Sequence, residues 1–123
     1  AIYPNGMIID LKTTKNSNYK EFSSTIYNFG YHNQASFYCE GIKTLYKLNE
    51  YPLFCFIVCE KTPPYECRFF CIDDFSLKIG AKENYDLLSL YNNCVNLNIW
   101  HGYPDEIELI SLPEYITNKY KLC

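Results

Sequence analysis

The chain has 123 residues, 48% of them hydrophobic, and a formal charge of −3, enough for one domain with a core and too little for two. Its acidity excludes a protein that grips nucleic acid through a bulk positive field. Its longest apolar run, Leu53 to Cys59, is far shorter than the roughly 20 residues a membrane-spanning helix needs.

Pro4-Asn5-Gly6 reads as a tight hairpin turn, because Pro presets φ and Asn-Gly tolerates the positive φ such turns demand. Met7 to Lys12 follows as a strand, with Asp10 and Lys12 on one face and Ile9 and Leu11 on the other. Tyr19, Phe22 and Ile26 then recur at helical spacing, with Gly30 as the cap. A second helix spans about Tyr31 to Leu48. Residues 51–60, YPLFCFIVCE, form an unbroken run of β-formers suited to a strand buried on both faces. Residues 65–73, YECRFFCID, are its partner across the Thr62-Pro63-Pro64 corner. From Asp74 to about Val95 the pattern is helical again, with Leu87, Leu88, Tyr91 and Val95 on one stripe and Asp73 or Asp74 as N-cap. A short strand, Glu106 to Ser111, and a Pro-led turn complete a single mixed α/β domain, residues 1–123, with helices packed on a central sheet.

The chemistry concentrates at residues 10–12. A carboxylate and an amine at i and i+2 of a strand project to one side, about 6.6 Å apart at their Cα atoms for a rise of about 3.3 Å per residue. Asp10 can offer oxygen to a hard divalent cation, the Leu11 backbone carbonyl can join it, and Lys12 can orient water or balance phosphate charge. A surface ion pair has the same local pattern. On the second helix Gln34 and Tyr38 are i and i+4, two long polar groups on one face, able to reach a phosphate or fix a water.

D-x-K on a strand, a helix, and Q-x-x-x-Y on the next helix resembles the PD-(D/E)XK nuclease superfamily, in the branch of the RecB-type, lambda-exonuclease-type and RecE-type (exonuclease VIII) enzymes. The segments IIDLKTT, FGYHNQASFY, FIVCEKTPPY and WHGYPDEIELISLPEY are similar to successive blocks of the RecE-like exonucleases, in order, over nearly the whole chain. The resemblance implies a restriction-endonuclease-like core and a Mg²⁺-dependent exodeoxyribonuclease, with Mn²⁺ as the substitute ion, acting on duplex DNA in phage-type recombination. It makes Asp10 and the Leu11 carbonyl metal ligands, Lys12 the catalytic lysine, and Gln34 and Tyr38 the phosphate-positioning pair. Thr13, Thr14 and Lys15 follow as DNA contacts, or as residues that hold the strand end. Ring-shaped homo-oligomers and a strand-annealing recombination protein are the partners it suggests.

The family places another Asp on the strand before D-x-K and a Glu or His on an earlier helix. Only nine residues, none of them acidic, precede Asp10. Two-metal cleavage needs several carboxylates around ions about 3.5 to 4 Å apart, so the chain reads as the C-terminal portion of a nuclease core, its other acids coming from an upstream segment or a separate chain. A truncated or degenerate fold that binds DNA or protein without cleaving is the alternative. Asp105 reads as a solvated loop acid, and His32 as a solvent-facing or structural residue turned away from Gln34.

Seven cysteines, an odd number without the spacing of a secreted framework, and no charged-then-apolar leader favour a reducing cytoplasm. Symmetric pairing about Pro63 sets Cys55 opposite Cys71 and Cys59 opposite Cys67. These four are expected as core thiols rather than iron–sulfur ligands, which draw on closer spacing outside a sheet. Trp100 and Tyr103 are expected to close a core, with base stacking as the other option.

Overall fold

The structure is a computed structural model and describes residues 1–4 and 6–120. Asn5, in the middle of the expected hairpin turn, lies outside the described residues; its neighbours fit the expectation. The Gly6 N–H donates to the Tyr3 carbonyl and the Tyr3 N–H to that of Met7, at 2.8 and 2.9 Å, with Gly6 at φ 85°. Strand β1 (Ile8–Thr14) leads to helices α1 (Tyr19–Asn28) and α2 (Tyr31–Tyr46), then to strands β2 (Phe54–Glu60) and β3 (Cys67–Cys71) and helix α3 (Asp74–Leu97). A single turn, α4 (Glu114–Thr117), follows Pro113.

The sheet order is β1-β2-β3. β1 and β2 are parallel, with Asp10 opposite Phe56 and Lys12 opposite Val58, as a helical crossover between two strands allows. β2 and β3 are antiparallel. Strand alternation puts Ile8, Asp10, Lys12, Phe54, Phe56 and Val58 on one face, which α1 and α2 cover. Phe22 of α1 meets Phe56 edge-on at 5.8 Å and stacks on Phe70 at 5.3 Å, and Tyr31 of α2 tilts against Phe56 at 6.2 Å. Ala35, Cys39 and Ile42 of α2 and Leu77 of α3 complete the core. The site residues thus share the covered face.

Helix ends are closed locally, Asp73 being the cap expected from the sequence. Asn18 caps α1 by accepting from the Lys20 N–H, Asp73 caps α3 through the Ser76 N–H, and Lys47 ends α2 in the left-handed region. α3 crosses α2 at Gly80, where a Cβ would stand 2.4 Å from the His32 carbonyl oxygen. His32 is buried rather than solvent-facing. Its Nε2 lies 2.9 Å from the Glu83 carboxylate, which also accepts from Asn33 at 2.8 Å, so it ties α2 to α3. These hydrogen bonds hold the Glu83 carboxyl below its ordinary value, the Asn33 amide first among the causes.

Four expectations change. No ladder forms over Glu106–Ser111: the alternation is present, but a strand exists only beside another, and residues 98–113 lie outside regular structure among the described residues. β2 is buried at Phe54, Phe56 and Val58 on its helix-covered face, whereas on the other face only Cys55 is buried and Ile57 and Cys59 are half-buried. Cys55 and Cys71 face each other as the symmetry argument expects, but as a disulfide and not as two core thiols, because opposed side chains on one rung of the hairpin meet. Trp100 and Tyr103 are exposed, with Trp100 touching only the edge of Tyr91 among the described rings. No helix among the described residues is long and apolar enough to cross a membrane.

Candidate active site

Four side chains from two elements form one continuous polar chain. Asp10 and Lys12 are two apart on β1, so the pleat turns both toward α2, and Lys12 Nζ lies 2.7 Å from Asp10 Oδ2. The same ammonium donates to Gln34 Oε1 at 2.7 Å, and Gln34 Nε2 donates to the Tyr38 hydroxyl at 3.4 Å. One helical turn separates Gln34 from Tyr38, which places the phenol above the amide. The Lys12 and Asp10 side chains keep only 15% and 24% of their exposure, whereas the Tyr38 ring is open to solvent. The chain therefore runs from a recessed ion pair to the surface.

Tyr31 is a site residue that sequence reasoning misses. Lys12 Nζ sits 4.1 Å from the centre of its ring, so the amine is held on its apolar side by a cation–π contact. The signal was present, since Tyr31, Gln34 and Tyr38 are i, i+3 and i+7 on one helical face. It was hidden by the other twelve tyrosines.

The remaining candidates lie apart from this chain. Thr13 alternates to the opposite face of β1, opposite Cys59. Thr14 is buried, its hydroxyl donating to the Asn16 carbonyl at 3.1 Å, so it holds the strand end. Lys15 is exposed in the loop beyond. That loop is clamped by β2 and β3: Glu60 Oε1 accepts from the Ser17 N–H and hydroxyl at 2.7 and 2.9 Å, which holds its carboxyl below the ordinary value, and Arg68 of β3 donates to the Ser17 carbonyl at 3.3 Å. The clamp joins residues far apart in sequence and carries no local motif.

Asp10 Oδ2 is buried and lies at ion-pair distance from Lys12, yet it aligns with no donor. The Lys12 ammonium balances its charge, and a recessed carboxylate oxygen is also the donor type that hard cations take. The Leu11 carbonyl faces the outer edge of the sheet. The Ile9 N–H and carbonyl both bond to Ala1, at 2.8 and 2.6 Å, on the side away from β2, and the backbone groups of residue i+2 point the same way as those of i. Among the described residues no strand lies along that edge beyond the Ala1 pairing, and an apolar groove of about 680 Å³ lies beside it between Ile2, Ile9, Asp10, Phe37, Tyr38 and Ile42. Hard divalent cations take about six or more oxygen ligands. Among the described residues no group of three or more His, Cys, Asp or Glu gathers anywhere. Asp10 and the Leu11 carbonyl, the two groups expected as ligands, would thus make only part of such a set.

A mixed sheet with D-x-K on a strand facing Q-x-x-x-Y on a helix defines the class: a PD-(D/E)XK-like, nuclease-type core. Over residues 2–113 the chain matches the family described as PDDEXK-like domain of unknown function (DUF3799), and it belongs to that family. No curated protein gives a significant match.

Proposed function

We propose that this domain is the C-terminal part of a RecE-like, metal-dependent exodeoxyribonuclease that hydrolyses phosphodiester bonds of duplex DNA, with Mg²⁺ or Mn²⁺ as its ion. The observation that carries the reading is the continuous Asp10–Lys12–Gln34–Tyr38 chain, which joins an acid, an amine, an amide and a phenol within reach of one backbone phosphate. In this reading the Tyr38 hydroxyl and Gln34 amide bind a non-bridging phosphate oxygen. Lys12, recessed and pinned by Gln34 and Tyr31, aims its amine beside the reacting phosphorus, where a fixed group acts more strongly than in water. The completing acid comes from an antiparallel strand laid along the open edge of β1, in line with Ala1–Tyr3, from an upstream segment or a separate chain. Thr13 and Lys15, exposed at the strand end, are proposed backbone contacts, and a ring of copies around DNA and a strand-annealing partner are the assemblies the reading suggests.

A second reading, a degenerate core that binds DNA or a protein without cleaving it, is favoured by one observation: Asp10 is the only carboxylate in the polar chain among the described residues. Degradation of linear duplex DNA with Mg²⁺ separates the two. The chain extended by the residues encoded upstream should digest DNA, and its K12A variant should lose at least about 100-fold, the scale of one transition-state charge contact. An extended protein that binds DNA but leaves it intact, or a K12A variant as active as its parent, rejects the nuclease.

A further inference from the structure

We propose that Cys59 and Cys67 are an oxidisable dithiol that exchanges with a small-molecule disulfide such as oxidised glutathione and closes as a second cross-strand disulfide beside Cys55–Cys71. The site lies on the sheet face away from Asp10 and Lys12, and the inference is independent of any DNA chemistry.

The hairpin register is the first support. Cys59 stands directly opposite Cys67, as Cys55 does opposite Cys71, and Ile57 opposite Phe69 lies between them. The second is the type of rung. The Glu60 N–H donates to the Glu66 carbonyl and the Ile72 N–H to that of Phe54, at 2.8 and 3.0 Å. These bonds mark the even-numbered residues of β2 as the hydrogen-bonded rungs and leave the three odd ones as the non-hydrogen-bonded kind, in which opposed side chains come closest. Across the first of these the sulfurs are already joined, over a Cα separation of 4.0 Å. The second pair has the same rung type, the same face and the same strands. The two thiols are near neighbours: Cys59 is the first of the causes that hold the Cys67 thiol above its ordinary value, beside the hydrogen bond that the Cys67 thiol donates to the Tyr65 carbonyl at 3.7 Å. Access is the last support, since Cys67 is exposed and Cys59 half-buried, so a reagent reaches the pair without unfolding the sheet.

The exchange balances as two thiol–disulfide steps. One protein thiolate attacks a sulfur of oxidised glutathione; the glutathione S–S bond breaks, a protein–glutathione bond forms, and one glutathione leaves as thiolate to take up the proton. The facing thiol, deprotonated in turn, attacks the protein sulfur of that mixed disulfide, forms Cys59–Cys67 and releases the second glutathione. The protein loses two electrons and two protons, and the glutathione disulfide gains both.

The experiment incubates the full chain in glutathione buffers of rising oxidised fraction, blocks remaining thiols with iodoacetamide under denaturing conditions, and maps peptides by mass spectrometry. The expected result is a Cys59–Cys67 cross-link that grows with the oxidised fraction, while Cys39, whose burial raises its thiol to about 11, and Cys94 stay alkylated. The C67S and C59S variants, checked for folding by circular dichroism, should stop at a glutathione adduct on the remaining thiol. Wild-type protein in which both cysteines stay alkylatable, or carry glutathione without cross-linking, overturns the proposal.

Discussion

Helix α2 and the far half of α3 carry the same kind of sequence and end in opposite situations. In α2 the helical period brings Ala35, Cys39 and Ile42 against the sheet. In α3 only Leu77 and Gly80 are buried, and the stripe of Leu87, Leu88, Tyr91 and Val95 points into solvent. Twenty-four residues of helix extend about 36 Å at about 1.5 Å per residue, while among the described residues the hydrogen bonds between α3 and α2 end at Glu83 and at Asn84, whose amide donates to the Asn33 carbonyl at 2.9 Å. Periodicity therefore specifies that a helix forms and which face is apolar. It does not specify whether anything is there to cover that face.

The largest effect should come from the packed region. Phe56 is fully buried and meets Phe22, Tyr31 and Phe54, so Phe56→Ala removes the ring at the centre of the core and leaves a cavity. A loss of about 3 to 5 kcal/mol in urea denaturation is expected. A loss below about 1 kcal/mol would mean that the α1–α2 layer is as loosely held as the end of α3. The boundary between the two regimes is Gly80, where the atoms a new Cβ would strike are backbone, the His32 carbonyl oxygen and carbon at 2.4 and 2.8 Å. Gly80→Ala must push the helices apart and should cost about 1 to 3 kcal/mol, despite the gain in helix propensity that alanine brings at an open position.

The same comparison shows what local sequence can carry. The D-x-K face, the Q-x-x-x-Y pair, the helix caps and the pairing of four cysteines all follow from periodicity or symmetry within one element or one hairpin, and each is legible. The Glu60–Ser17 clamp and the His32–Glu83 tie join residues more than forty positions apart and leave no trace in any window. Glu106–Ser111 fails for the reverse reason: its alternation satisfies the pattern of a strand, but no described strand lies beside it to complete the ladder. The site is legible where its residues are neighbours in a helix or strand, and illegible at Tyr31, whose role depends on where Lys12 reaches.

The clamp gives a smaller test of the packed region. The folded Glu60 carboxyl sits below 4.5 because the Ser17 N–H and hydroxyl stabilise its charged form. The contribution is therefore present above the ordinary carboxyl value and is lost as pH falls through the lowered folded value. In an NMR titration the Ser17 amide should shift with a midpoint below 4.5, and in E60Q that transition should vanish. A midpoint at or above the ordinary value would mean that the loop after β1 is as free as the chain beyond α3.

The smallest expected effect is the most direct test of the contrast. Leu88 lies on the α3 stripe and is 57% exposed. Replacing it by Ala removes little area that folding took from water, and Leu and Ala differ only slightly in helix propensity. Leu88→Ala should leave stability within about 0.5 kcal/mol of the parent, against several kcal/mol for Phe56→Ala with a side chain of similar apolar character. The comparison should be made over a range of protein concentration. A monomer whose stripe is uncovered gives the same small difference at every concentration, whereas a penalty that grows on concentrating the sample would show that α3 has a partner in solution, because stabilisation by association follows mass action.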